Sequence, residues 1–513
     1  MKKTNTSNLK ILAKGAGISV IFVFLGYVIM FFFKLMAARY LKPEGFGQYT
    51  LAETILLLGS LLASLGITQG ITRYIPFYEG KKDKKSLSGY LKFVLSYPLI
   101  FSVILAFFLF LFSSQITSFF NFPSVFPLFL KIMAFALPFD VFSKIFAEIL
   151  LANKKVMHKM IGLKMVKNLT LLFGMIFIIL TDLSVSAIIW LLFLSTVLSF
   201  LYCFFVYHFK IKISKPAGKP VYRKKEWVVF SLPLFFTGFL MFFVSWSDNI
   251  VIGKFLDPSQ LGIYSIAFSF AMFLSFFQSS FSAVFTPLIS ENYAKKKFKE
   301  ISFLFKKSAA WIFGLSFPLF LVMVLYSRQI LTLFYGKEYA LGYMPLIIAS
   351  TGFLINLSTG LNMNILMVHK QTRFIFWVDL LIASYNIGMN IFLIPIYGIT
   401  GAALASASSM ALQNLIFLWK AKQYEKLRFD WLYNLKFITA GIPAVLIAAS
   451  VFKSPFNKFL ELGVSVILYV VLYFLLLIML KTFTKEDFDI VLAVEKKLGL
   501  NLRWLKRLVK KFY

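Results

Sequence analysis

Asp140, Lys144 and Glu148 stand four residues apart inside the apolar stretch 126–152. At helical spacing they make one stripe in which neighbours can pair. An ionisable group at mid-span costs roughly 2.5–3.5 kcal/mol, so each needs a partner or a wet cavity. At a rise of about 1.5 Å per residue, Asp140 lies about 18 Å from the helix end near Ala152, close to mid-bilayer. Further charges fall in or beside other apolar stretches: Lys34, Arg39, Arg73, Lys131, Asp248 and Asp379. Snorkelling alone would account for Arg39, Arg73 and Lys131, whereas Lys34 lies more than a turn deeper than Arg39. The cations concentrate in the first half of the chain, so a cavity there would suit an anionic headgroup such as a phosphate or pyrophosphate. The acids Asp140, Glu148, Asp248 and Asp379 are candidates for ion coupling or for lining the cavity. A self-satisfied helix–helix contact is the alternative reading of the 140–148 stripe. The three histidines (His158, His208, His369) are scattered without ligand spacing, and Cys203 is the one cysteine, so neither a metal nor a cofactor is expected.

The elements that must position these charges are membrane spans. The chain of 513 residues is 59% hydrophobic with 64 phenylalanines, and its mean hydropathy of +0.81 excludes a soluble protein. Runs of about 20 apolar residues recur from 15–38 to 460–480 and predict fourteen transmembrane helices. Short alternating segments of a barrel are absent, so the expected fold class is an all-α polytopic membrane protein. Prolines at 98, 138, 233, 318 and 345 fall inside spans, as ordinary membrane-helix usage or as kinks with a gating role.

The net charge of +33 does not point to nucleic acid, because most of the 54 Lys and Arg fall in alternate loops and at the two termini. That asymmetry is the positive-inside rule, and it puts both termini in the cytoplasm. The leader Met1 to Lys14 has no small-residue cleavage signal, so the first span reads as retained. The tail, 481–513, reads as a basic amphipathic helix lying on the cytoplasmic leaflet. Its Asp487-Phe-Asp489 resembles a metal-binding motif of sugar transferases, but with Thr484 it reads better as a helix cap.

The sequence also repeats. Leu41 to Ala52 returns as Leu256 to Ala267, with Leu, Pro, Gly, Tyr and Ala in register. Ser96-Tyr-Pro-Leu99 is echoed by Ser316-Phe-Pro-Leu319, and Ile149 to Lys154 by Ile365 to Lys370. Repeats six spans apart predict two six-helix lobes, 1–208 and 227–420, with a basic linker at 209–226 and two added helices in 421–480. The site would lie between the lobes. The repeat equivalents of the charged stripe are Asn356, Gly360 and Asn364, and that of Lys34 is Asn249, so the matching face is polar in both halves.

Ala38 to Tyr49 followed by Arg73-Tyr-Ile-Pro-Phe-Tyr78 resembles the opening of the polysaccharide-biosynthesis flippases. Ser247-Asp-Asn-Ile-Val-Ile-Gly253 and Ile394 to Ala403 are similar to later parts of the same family, so the resemblance covers nearly the whole chain. The family belongs to the multidrug and oligosaccharidyl-lipid exporter superfamily, which implies a MATE-like two-lobe fold. It further implies a flippase that carries a polyprenyl-(pyro)phosphate-linked oligosaccharide to the outer leaflet of the plasma membrane by alternating access. The lipid bilayer and the lipid-linked oligosaccharide are then the partners, with room for glycan-assembly enzymes. The family's cationic cavity residues map onto Lys34, Arg39 and Arg73; Lys144 and Asp248 join them on physical grounds. The alternatives are an ion-coupled exporter of drugs or organic cations on the same fold, and a membrane enzyme of polysaccharide assembly. An exporter of cations would need an acidic, aromatic cavity. An enzyme would need a larger loop domain than the outside loop of about 15 residues at 327–341.

Overall fold

Long uninterrupted apolar runs with few helix breakers fold as helices because lipid leaves the backbone no other partners. The computed structural model describes residues 2–211, 219–424, 431–451 and 458–482. Among them twelve helices are long and apolar enough to cross a membrane, against the fourteen expected. The difference has two physical sources. Phe24–Ser64 carries the first two expected spans as one 41-residue element, broken at Lys42 (φ 56°, ψ 176°). The break falls on the residue before Pro43, where the proline ring disfavours the helical region. The thirteenth stretch falls on a shorter apolar helix, Asn434–Ser450. The second span is broken again at Leu65 and Gly66, both at positive φ, and resumes as Ile67–Gly80. The tail with its Asp487-Phe-Asp489 lies outside the described residues, as does 212–218 of the linker.

Two copies of the repeat meet each other. An added Cβ on Gly47 would overlap the carbonyl oxygen of Pro258, and one on Gly262 would overlap that of Pro43. The Gly47 position would also lie 3.1 Å from the Gly262 nitrogen, and the Gly262 position 3.0 Å from the Gly47 nitrogen. The contact is reciprocal, each Gly–Pro pair of one copy fitting that of the other. Around it Thr50 Oγ1 reaches Ser265 Oγ at 3.4 Å, another equivalent pair.

The repeat also governs the turns. Lys82 and Lys296 (φ 55° and 57°) and Lys154 and Lys370 (φ 61° and 60°) hold matching left-handed positions at helix ends. In all four the next N–H closes back on the helix: Asp83 on Tyr78 O, Lys155 on Leu150 O, Lys297 on Asn292 O and Gln371 on Leu366 O, at 2.8–3.0 Å. These are Schellman caps. Left-handed positions in the intervening turns are Asn121, Asp182, Gly336 and Gly398. After the first of the lysine turns, Asp83 caps Lys84–Leu111 by accepting from the Ser86 N–H at 3.0 Å, and that bond holds its carboxyl below the usual range.

The helices gather into two compact units. Of the described residues, one unit draws on those within 2–269, 334–345 and 373–409, and the other on those within 270–333, 346–372 and 410–482. In the first, Phe126–Ala152 is buried along most of its length and packs on Lys84–Leu111 and Ala187–Lys210. In the second, Tyr343–Ser358 stops and Asn362–Val368 begins across Gly360 (φ 80°). Asn414 satisfies the carbonyls freed at that break, donating to Ile355 O at 3.1 Å and Asn356 O at 2.9 Å.

Candidate functional site

The helices Phe126–Ala152 and Val156–Leu180 leave one tight turn, Asn153–Lys155, and carry a ladder of charges. Lys144 Nζ lies 2.6 Å from Asp140 Oδ2 and donates to Ser60 Oγ at 2.9 Å. Lys167 Nζ approaches the other Asp140 oxygen at 3.5 Å, so one buried carboxylate holds two lysines. Glu148 pairs instead with Lys159 at 2.7 Å. The stripe therefore neutralises itself only in part along its own helix, through Asp140 and Lys144. Two of its three ion pairs reach the next span, where the helix passes through a π-helical stretch, Ile161–Val166.

Lys34 is half-buried and donates to Ser269 Oγ at 2.7 Å. Its repeat equivalent Asn249 donates to Thr54 Oγ1 at 3.0 Å, and Thr54 is the repeat equivalent of Ser269. The two contacts are thus one contact made twice, with a cation in one copy and an amide in the other. Glu53 lies within electrostatic reach of both Lys34 and Tyr49. Arg39 is exposed and donates from Nε to Phe334 O at 2.6 Å. Arg73 lies beyond the break at Gly66, exposed, with its guanidinium 4.1 Å from the centre of the Phe230 ring, a cation–π contact. Lys34, Arg39, Arg73 and Lys144 thus each have separate recorded partners.

Asp248 is buried and surrounded by neutral donors: the Tyr264 hydroxyl, Ser406 Oγ at 2.6 Å and Asn390 Nδ2 at 2.7 Å. Ser247 donates to Asn386 Oδ1 at 2.6 Å, and Asn386 Nδ2 donates to Ser409 Oγ at 3.1 Å, extending the network. Among the described residues no lysine or arginine pairs with Asp248. Asp379 is fully buried two helical turns before Asn386 on the same helix, Thr372–Tyr397. In the other unit Asn356 accepts from Gln278 at 3.3 Å, and Asn364 donates to Ser282 at 2.8 Å and Thr286 at 2.6 Å. The break at Gly360 separates Asn356 from Asn364, so the polar face expected there is not one continuous helix face.

The sequence reading passed over Glu53, Lys159, Lys164, Lys167, Asn386, Asn390 and Ser406. Asn386 and Asn390 had a legible signal, two amides at i and i+4 inside an apolar run. Glu53 was hidden inside the repeated motif. Nothing local marks Lys167 as the partner of Asp140.

Twelve apolar helices, with ion pairs and a buried acid inside them, define a multi-span membrane protein. The sequence profile of the family described as "Polysaccharide biosynthesis protein" matches residues 36–341, and the chain belongs to that family. It is similar to the "Probable low-salt glycan biosynthesis flippase Agl15" of Haloferax volcanii, 24% identical over 39% of this chain. That match spans 44% of the relative's own length. It is also similar to the "Putative O-antigen transporter" of Shigella flexneri, 22% identical over 74% of this chain and 91% of that protein. Among solved structures, the lipid II flippase MurJ in an inward closed conformation superposes with a TM-score of 0.72 at 17% identity, over 90% of this chain and 98% of that one. An inward-facing multidrug resistance MATE family transporter superposes at 0.59 and 14% identity, over 78% and 94%. At these identities the superpositions establish the fold.

Proposed function

We propose that the chain is a flippase for a polyprenyl-(pyro)phosphate-linked oligosaccharide. The observation that carries this reading is the excess of lysines held inside the spans by too few carboxylates, in a chain of the polysaccharide biosynthesis family. Lys144 and Lys34 engage the anionic headgroup, Arg39 and Arg73 guide it at the span ends, and the lipid tail stays in hydrocarbon. Asn249, Asn356 and Asn364 offer hydrogen bonds to sugar hydroxyls. The six-helix halves, 1–208 and 227–420, alternate access between leaflets. Both termini are cytoplasmic and the membrane is the plasma membrane, a reading supported by the lysine-rich alternate turns. The names of relatives, a glycan biosynthesis flippase and an O-antigen transporter, support the substrate class. Asp248 is the coupling acid, since its neutral surroundings leave one negative charge for a proton or small cation to balance.

The test is reconstitution into liposomes with a fluorescent polyprenyl-pyrophosphate oligosaccharide. Wild-type protein should bring the sugar to the opposite leaflet, and Lys34→Ala and Lys144→Ala should each slow this at least about tenfold, the loss of one charge-assisted contact. Transport that survives both changes would remove these lysines from the site. Efflux of organic cations with no movement of the lipid would replace the flippase reading with an exporter.

A further inference from the structure

The helix Lys224–Phe255 opens with three cations, Arg223, Lys224 and Lys225, at the end where its own dipole is positive. That end favours anions, and no side chain caps its free N–H groups. Glu226 is the one acid of this turn, 3.9 Å from Arg223. Lys224 Nζ lies 5.4 Å from the centre of the Tyr97 ring and 5.6 Å from that of Tyr222. Lys225 is exposed and, among the described residues, pairs with no carboxylate. The three cations, with Tyr222, Glu226 and Val229, line an open cleft of about 550 Å³. The backbone beneath it is fixed. Val221 N–H donates to Lys85 O at 3.2 Å, and Gly89 lies so close to the Val221 carbonyl that an added Cβ would overlap it. Trp227, fully buried, donates from Nε1 to the Tyr78 hydroxyl at 2.9 Å. From the cleft an apolar stripe runs on along the helix: Val229, Leu232 and Phe236, spaced i, i+3 and i+7, are all exposed.

The geometry points to a binding site for an anionic phospholipid, its phosphate in the cleft and an acyl chain along Val229, Leu232 and Phe236. Three cations at the positive end of a long helix repel one another and the dipole, and a phosphate relieves both. A free anion would use the cations alone; the exposed apolar stripe beside them selects an amphiphile. A zwitterionic lipid brings a cation of its own into the cleft, whereas phosphatidylglycerol does not. The ligand is a resident lipid of the bilayer, so the assignment stands apart from what the protein carries.

Purified full-length protein in detergent is titrated with phosphatidylglycerol, and the first lipid adduct is followed by native mass spectrometry. Wild type should bind it at least about fivefold more tightly than phosphatidylcholine with the same acyl chains. Lys225→Gln should weaken phosphatidylglycerol binding about fivefold, and Lys224→Gln with Lys225→Gln at least about twentyfold, with no change in thermal unfolding. Lys225→Arg should bind like wild type. Lys299→Gln removes an exposed lysine from the first turn of another helix, Phe298–Leu325, and is the control for nonspecific charge. Equal affinity for the two lipids, full affinity in the double variant, or an equal loss in Lys299→Gln overturns the site. Orthophosphate that displaces the lipid at equal concentration would overturn the lipid assignment and put a free-anion site in its place.

Discussion

Gly47→Ala and Gly262→Ala should each leave little or no folded protein, each costing above about 3 kcal/mol. Most overpacking is relieved by a side chain moving aside. Here the new methyl would meet a carbonyl oxygen of the main chain, Pro258 O or Pro43 O, and the glycine nitrogen of the other copy behind it. Only a shift of whole helices could make room, and that shift would pull apart Lys34 and Ser269 together with Asn249 and Thr54. The measurement is the yield of monodisperse protein on size-exclusion chromatography, followed by thermal unfolding. Gly388→Ala is the matched control, because nothing lies within 4 Å of its added methyl. Wild-type behaviour of both crossing variants would show that the two repeat copies do not meet at their glycines.

Asp248→Asn should keep the fold and abolish the response of transport to an ion gradient, slowing gradient-driven flipping at least about tenfold. The amide is nearly isosteric, and Tyr264 and Ser406 can still donate to its oxygen. What disappears is the negative charge, which no lysine or arginine among the described residues balances. Burying such a charge is costly unless a proton or a small cation accompanies it, so the occupancy of this acid is free to change with the state of the transporter. Liposomes with imposed Na⁺, K⁺ or H⁺ gradients distinguish these ions. Wild-type rates that ignore every gradient would remove coupling altogether, and an Asp248→Asn protein that still responds would move it to another acid.

The spans were legible because lipid reduces the folding problem to hydrophobic length, and the repeat because glycine and proline at a close crossing tolerate few replacements. The break at Lys42 was written in Pro43, but composition windows merge or split such a stretch according to length alone. The pairing of Asp140 with Lys144 followed from spacing within one helix. The pairing of Asp140 with Lys167, and of Glu148 with Lys159, depends on how neighbouring spans register, which a single sequence does not state. The π-helical stretch at 161–166 has no local signature that propensity reasoning detects. The network around Asp248 was half visible: the acid was evident, and its amide and hydroxyl partners looked like ordinary small polar residues in apolar helices.

The lysine caps have a consequence for how the protein comes into being. Glycine would hold the left-handed positions at Lys82, Lys154, Lys296 and Lys370 at lower conformational cost, by about 1 kcal/mol each. With the termini cytoplasmic, as proposed above, those positions carry a charge that the insertion machinery would read while each helical hairpin is still emerging. Biogenesis and final stability therefore pull in opposite directions at the same four residues. A version with four glycines should unfold at a higher temperature and yet place a larger share of molecules upside down, which cysteine labelling of these turns from either side of the membrane would reveal.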